Sequence, residues 1–202
     1  MLNNKIPFKL GVTGGIGSGK TSVCRVFHVL GVPVFSADTE ASILMECNET
    51  IRKELNKIAG RDMFATGKLD RKELASLIFN DSIMLEKVNK LVHPAVFEQF
   101  EKWTMQQEGP YVIMEAAILF ESGAFRFVDK VVTVTAPVEE RIDRVIHRNK
   151  LTRVQVLDRI KMQMNDEEKI EKSDYVIRNS ENEMIIPAVL LIHEDILKLI
   201  KS

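Results

Sequence analysis

Apolar residues along this chain fall into short continuous runs, separated by stretches in which they recur every three or four positions. Phe8 to Thr13 is apolar apart from Lys9 and reads as a buried strand. From Lys20 to Leu30 the apolar positions are Val23, Val26, Phe27 and Leu30, which make one helical stripe. Gly31 ends that helix, and Val32 to Phe35 reads as a second strand. Strand, helix and strand in that span predict a parallel pair with a right-handed crossover. Thr39 to about Gln107 is mostly helical in pattern, punctuated by Gly60 and the turn Ala65-Thr66-Gly67-Lys68. Pro94 interrupts the stretch from Asn89 to Trp103, so a helix is expected to begin or kink at His93-Pro94. Gly109-Pro110 breaks the pattern, and Tyr111 to Met114 and Lys130 to Thr135 are further buried strands. Pro137 suits a helix start, with Glu139 and Glu140 in its first turn, and that helix runs to about His147. Another helix starts near Thr152, Tyr175 to Ile177 is a last strand, and Glu183 to Ile200 is a closing helix. This alternation predicts an α/β fold with a doubly wound parallel sheet, whose ligands sit at the carboxyl ends of the strands.

The loop after the first strand carries the strongest chemical signal. Gly14-Gly15-Ile16-Gly17-Ser18-Gly19-Lys20-Thr21 fits the phosphate-loop pattern G-x-x-x-x-G-K-[ST] and adds two further glycines. The glycines let the backbone turn tightly and approach phosphates closely, with N–H groups facing the anion at the positive end of the following helix. Lys20 is placed to reach the β- and γ-phosphates, and the Thr21 hydroxyl to ligate Mg²⁺. The motif implies an NTP with magnesium and leaves the second substrate open.

Two acids follow predicted strands. Asp38, in Phe35-Ser36-Ala37-Asp38-Thr39, stands where a carboxylate could orient or deprotonate an attacking hydroxyl, and equally where an N-cap is favoured. Glu115 ends an apolar strand in the manner of a Walker B acid, which holds Mg²⁺ directly or through water. The phosphate loop, Ser36 to Asp38, and Glu115 to Ala117 are expected to converge on one crevice. Arg141, Arg144 and Arg148 share a helix face at spacings of three and four. They suit closure over a triphosphate, with Arg148 the favoured candidate, although Glu140 is placed to pair with Arg144. No histidine pair has metal-ligand spacing, so no zinc site is expected.

Composition narrows the partners. Among 202 residues, 28 Lys+Arg against 29 Asp+Glu leave a net charge of −1, so nothing points to a nucleic-acid or anionic-membrane surface. Only Cys24 and Cys47 are present, without metal or redox spacing. Met1 to Pro7 has no apolar signal core, and no segment is long enough to span a membrane. A reducing, cytoplasmic compartment is expected.

These residues together resemble the dephospho-coenzyme A kinase family. The likeness runs through Leu10-Gly11-Val12-Thr13 and the phosphate loop, Val34-Phe35-Ser36-Ala37-Asp38, Leu91-Val92-His93-Pro94 and Ile118-Leu119-Phe120-Glu121. It continues with Arg148, Gln163 and Asp174-Tyr175-Val176-Ile177-Arg178-Asn179. Ser36-Ala37-Asp38 replaces the family's Asp-Ala-Asp, and Glu115-Ala116-Ala117-Ile118-Leu119 replaces its Asp-x-Pro-Leu-Leu. The resemblance implies ATP-dependent phosphorylation of the ribose 3′-hydroxyl of dephospho-coenzyme A, the last step of coenzyme A synthesis. It implies one P-loop kinase domain over 1–202, with a helical substrate-binding region at 50–107 and a lid at 146–168. Catalysis is assigned to Asp38, Lys20 and Arg148. ATP binding is assigned to Gly15, Ile16, Gly17, Ser18, Gly19, Lys20, Thr21, Arg144 and Asn179. Asp38, His93 and Leu119 are assigned to the acceptor substrate, and Thr21 and Glu115 to Mg²⁺.

Overall fold

The computed structural model describes residues 6–201, leaving aside the side chains of residues 79 and 80. The leading Met1-Leu2-Asn3-Asn4-Lys5, part of the segment without a signal core, lies outside the described residues. The elements in chain order begin with β1 (Phe8–Thr13), α1 (Lys20–Val29) and β2 (Val34–Ser36). Four helices follow: α2 (Ala37–Cys47), α3 (Glu49–Ala59), α4 (Arg71–Asn80) and α5 (Ser82–Thr104). Then come β3 (Tyr111–Glu115), a 3₁₀ turn (Ala124–Phe127), β4 (Lys130–Thr135) and α6 (Val138–Asn149). The chain closes with α7 (Arg153–Lys161), α8 (Asp166–Glu171), β5 (Tyr175–Arg178) and α9 (Ile185–Lys201). They divide into two compact units, one running to Ser36 and resuming at Trp103, the other spanning Ala37–Lys102.

In the first unit the strands lie in the order β2-β3-β1-β4-β5, and every pairing is parallel. The chain winds from β1 to one side and later to the other. The carboxyl end of β1 is therefore a topological switch point, where doubly wound sheets bind ligands. Alternation along β1 sends Leu10 and Val12 into a core with Val23, Cys24 and Phe27 of α1 and Val189, Ile192 and Ile196 of α9. Gly11 faces the opposite layer, where a Cβ would press on Leu119 and Val128. The strand expected at 32–35 is Val34–Ser36, and Val32 is instead a buried residue of the preceding turn.

The second unit is helical, as the spacing predicts. Asn48, Asp70 and Asp81 accept backbone N–H groups at the starts of α3, α4 and α5. Of the two alternatives at His93-Pro94, a helix start is overturned: α5 begins at Ser82, runs to Thr104 and carries Pro94 inside it. Val88, Val92, Val96 and Phe100 recur every four residues and are all buried. Burying each contributes roughly 1.5–3 kcal/mol, together more than the ~3 kcal/mol cost of an internal proline. The carbonyl that Pro94 leaves without its helical donor belongs to Lys90, an exposed residue open to water. Among the described residues no helix is long and apolar enough to cross a membrane.

Candidate active site

The phosphate loop passes from β1 into α1 through Gly19, whose φ of 95° lies in the left-handed region. A Cβ there would collide with the Asn179 side-chain amide, which donates to the Ser18 carbonyl at 2.8 Å. The Asn179 N–H also donates to the Thr135 carbonyl at 2.8 Å, so this residue braces the loop from the end of β5. Asn48, Asp70, Thr152 and Asn165 cap α3, α4, α7 and α8. Among the described residues no side chain caps α1, and its first turn holds no acid. That terminus keeps its N–H groups and positive potential for an external anion. The Lys20 ammonium lies back over the loop, donating to the Gly14 carbonyl at 2.8 Å and the Gly15 carbonyl at 3.4 Å.

At the foot of α1 the Thr21 hydroxyl donates to Glu115 Oε1 at 2.8 Å. Glu115 sits at the carboxyl end of β3, in register with Val12 on one side and Ser36 on the other. Two hard oxygen donors at the mouth of a phosphate loop fit Mg²⁺, which takes one or two carboxylate or hydroxyl ligands alongside phosphate and water. Two of the three predicted segments, the loop and the Glu115 turn, thus meet in the first unit.

The arginine face is not a solvated stripe. Arg141 is buried, with its side chain 4% exposed and ion-paired to Asp166 at 2.7 Å. Its Nε donates to the Ile16 carbonyl at 2.9 Å, and a Cβ on Gly15 would fall inside its guanidinium. Arg144 pairs with Glu140 at 2.7 Å, as the four-residue spacing allows, and its buried Nη1 faces no partner among the described residues. Arg148 is exposed near the end of α6 and donates to Asn149 Oδ1 at 2.8 Å. Sequence reasoning gave Arg141 no separate role and did not single out Asp166 or Lys169. Lys169 is fully buried, donating to the Ala117 carbonyl at 3.3 Å and paired with Glu121 at 3.1 Å. Its bland setting, Asp166-Glu167-Glu168-Lys169, gave no signal, because a charge run ordinarily reads as a solvated helix face. Leu119 is buried against Gly11, so its side chain anchors the turn after β3 from within.

In the second unit, Asp38 is exposed and lies inside the first turn of α2, which starts at Ala37. The helix thus starts two residues earlier than expected, at Ala37 rather than just after Asp38. Asp38 lines a cavity of about 480 Å³ with Thr39, Ser42, Ile43, Glu46, Cys47 and Arg71. His93 is half-buried on α5 beside the Phe97 ring, and burial holds its pKa below the ordinary 6.5. The folded chain thus disfavours the imidazolium, and stability is lost as pH falls below about 6.5. The drop in melting temperature between about pH 7.5 and 5.5 should shrink in His93→Gln. An unchanged drop would contradict this.

A profile of the dephospho-CoA kinase family matches residues 8–184. The chain belongs to that family. A curated dephospho-CoA kinase of Bacteroides fragilis is 42% identical over 90% of this chain and 89% of its own length. A crystal structure of a Thermus thermophilus protein superposes with a TM-score of 0.83 at 33% identity, covering 96% of this chain and 98% of that one. Dephospho-CoA kinase from Campylobacter jejuni superposes with a TM-score of 0.67 at 26% identity, covering 94% and 97%. The chain is a kinase of the phosphate-loop class. The resemblance carried by the loop, Asp38, His93-Pro94 and Asn179 is borne out at the level of family, fold and function.

Proposed function

We propose that the protein transfers the γ-phosphate of ATP to the ribose 3′-hydroxyl of dephospho-CoA, with the residues assigned as follows. The Thr21–Glu115 hydrogen bond beneath an uncapped α1, in a chain of this family, carries the reading. The N–H groups of Gly15, Gly17, Gly19, Lys20 and Thr21 cradle the phosphates, while those of Ile16 and Ser18 shape the loop by donating to Gln163 Oε1 and the Gly15 carbonyl; Lys20 swings from the Gly14 carbonyl to the β- and γ-oxygens. Thr21 and Glu115 hold Mg²⁺, which when bound neutralises charge on the phosphates. Asp38 orients the 3′-hydroxyl. Its oxygen attacks the γ-phosphorus, its proton passes to the Asp38 carboxylate, and the bond to the bridging oxygen breaks as ADP leaves. Arg144 and Asn179 serve the nucleotide. His93 serves the acceptor, as does the turn that Leu119 anchors. The reaction takes place in the cytoplasm between two small molecules, without nucleic acid or membrane, in keeping with a net charge of −1.

Arg148 completes the site on closure of the lid, residues 146–168. Arg148→Lys should then reduce turnover almost as much as Arg148→Ala, because lysine keeps the charge and loses the planar two-point contact. The loss should appear mainly in kcat, since the contact strengthens in the transition state. Steady-state kinetics on both variants checks this, and full rescue by lysine would contradict it. The reading as a whole is tested by ADP release with ATP and Mg²⁺ against dephospho-CoA, adenosine, shikimate and gluconate. Dephospho-CoA should be preferred, and a preference for shikimate or gluconate would overturn it.

A further inference from the structure

Ile16 is the apex of the phosphate loop, flanked by Gly15 and Gly17. Its backbone N–H donates to Gln163 Oε1 at 2.8 Å, and its carbonyl accepts Arg141 Nε at 2.9 Å. An N–H needs an acceptor, which fixes the oxygen end of the Gln163 carboxamide towards the loop. The Ile16 side chain packs on Ile142, Val145 and Val156, the small core that joins α6 to α7. Every group of this residue that can form a contact is therefore engaged by the α6–α8 segment.

The engaging residues are themselves fixed. Asp166 ion-pairs with Arg141 at 2.7 Å and accepts the Thr135 hydroxyl at 3.0 Å. Met164 N–H donates to Glu121 at 2.8 Å, and Asn165 caps α8. Four consecutive residues, 163 to 166, are each tied to a different element. A loop rich in glycine is costly to order. Holding its apex in place before nucleotide arrives removes that cost from binding and places the phosphates for reaction.

We infer that Gln163 is a positioning residue that acts through Ile16, so that the α6–α8 segment and the phosphate loop change shape together. The inference rests on the phosphoryl-transfer reading above. Gln163 touches no reacting atom. Its effect is transmitted by one hydrogen bond, supported by the Arg141–Asp166 pair on the other side of the same peptide.

The test is amide hydrogen exchange on the intact protein without nucleotide, combined with kinetics of Gln163→Met, which keeps the length and removes the acceptor. In the wild type the Ile16 amide should be protected. In Gln163→Met it should exchange about tenfold faster or more, while Val12 in β1 keeps its protection. The kcat/KM for ATP should fall roughly 10- to 100-fold, the scale of a small misplacement of reacting groups. The KM for dephospho-CoA should stay within about twofold, and the melting temperature within about 4 °C. Gln163→Glu, which retains an acceptor oxygen, should keep the Ile16 amide protected. An unprotected Ile16 amide in the wild type would overturn the inference, whatever the variants do. So would a Gln163→Met enzyme with undiminished kcat/KM for ATP. If the wild type failed to phosphorylate dephospho-CoA, the proposed reaction would fall, while amide exchange and an ATP titration of Gln163→Met would still decide this point.

Discussion

Asp38→Asn should lower kcat by roughly 10²–10⁴, the usual contribution of a positioned general base. Asparagine keeps the size and one acceptor oxygen and loses the charge. Transition states for phosphoryl transfer are loose, so orienting the hydroxyl matters more than removing its proton, and the lower end of the range is expected. Stability should change little. Asp38 is exposed in the first turn of α2, where asparagine keeps an acceptor oxygen, and the lost charge–dipole contribution is about 0.3–1 kcal/mol. ATP affinity should be retained, because the phosphate loop is untouched. One melting curve, one ATP titration and one kcat measurement on the same protein check all three statements. Wild-type turnover in the variant would shift the orienting role to Glu115, the other acid that follows a strand.

Lys20→Ala should weaken ATP binding and slow phosphoryl transfer together. The ammonium supplies positive charge where negative charge is densest, and removing one such group costs roughly 10²–10³ in rate. The melting temperature should barely move. Lys20 is half-buried and donates to the Gly14 and Gly15 carbonyls of its own loop. Isothermal titration with ATP and initial rates at saturating acceptor separate the two losses. Retained affinity with normal turnover would remove Lys20 from the phosphate site.

The phosphate loop was legible because its function depends on local spacing. Glycines, lysine and threonine act within one turn of chain, so the motif carries its own geometry. Glu115 was legible for a related reason, since an acid ending an apolar strand must emerge at the carboxyl edge of the sheet. The arginines were legible only in part. A spacing of three and four shows that Arg141, Arg144 and Arg148 share a face, but not what that face meets. The Arg141 partners Asp166 and Ile16 lie 25 and 125 residues away, and the Ile16 partner Gln163 lies 147 away. Only the folded sheet brings them together. Gln163 entered the sequence reading through family resemblance, without a role. Pro94 did not mark a helix start, because the local rule for proline is set by backbone sterics, while the helix that contains it is decided by four buried side chains along one face. Asp38 was expected just before its helix and lies second within it, a shift of two positions, the size at which helix ends are generally uncertain.

The central claim is that this chain phosphorylates the 3′-hydroxyl of dephospho-CoA at the phosphate-loop site. The most direct measurement follows the acceptor itself by phosphorus NMR while the protein is incubated with ATP, Mg²⁺ and dephospho-CoA. The account predicts a new phosphate monoester coupled to the ribose 3′ position, appearing in step with ADP and lost in Lys20→Ala. ADP formation accompanied by inorganic phosphate, with dephospho-CoA unchanged, would contradict it.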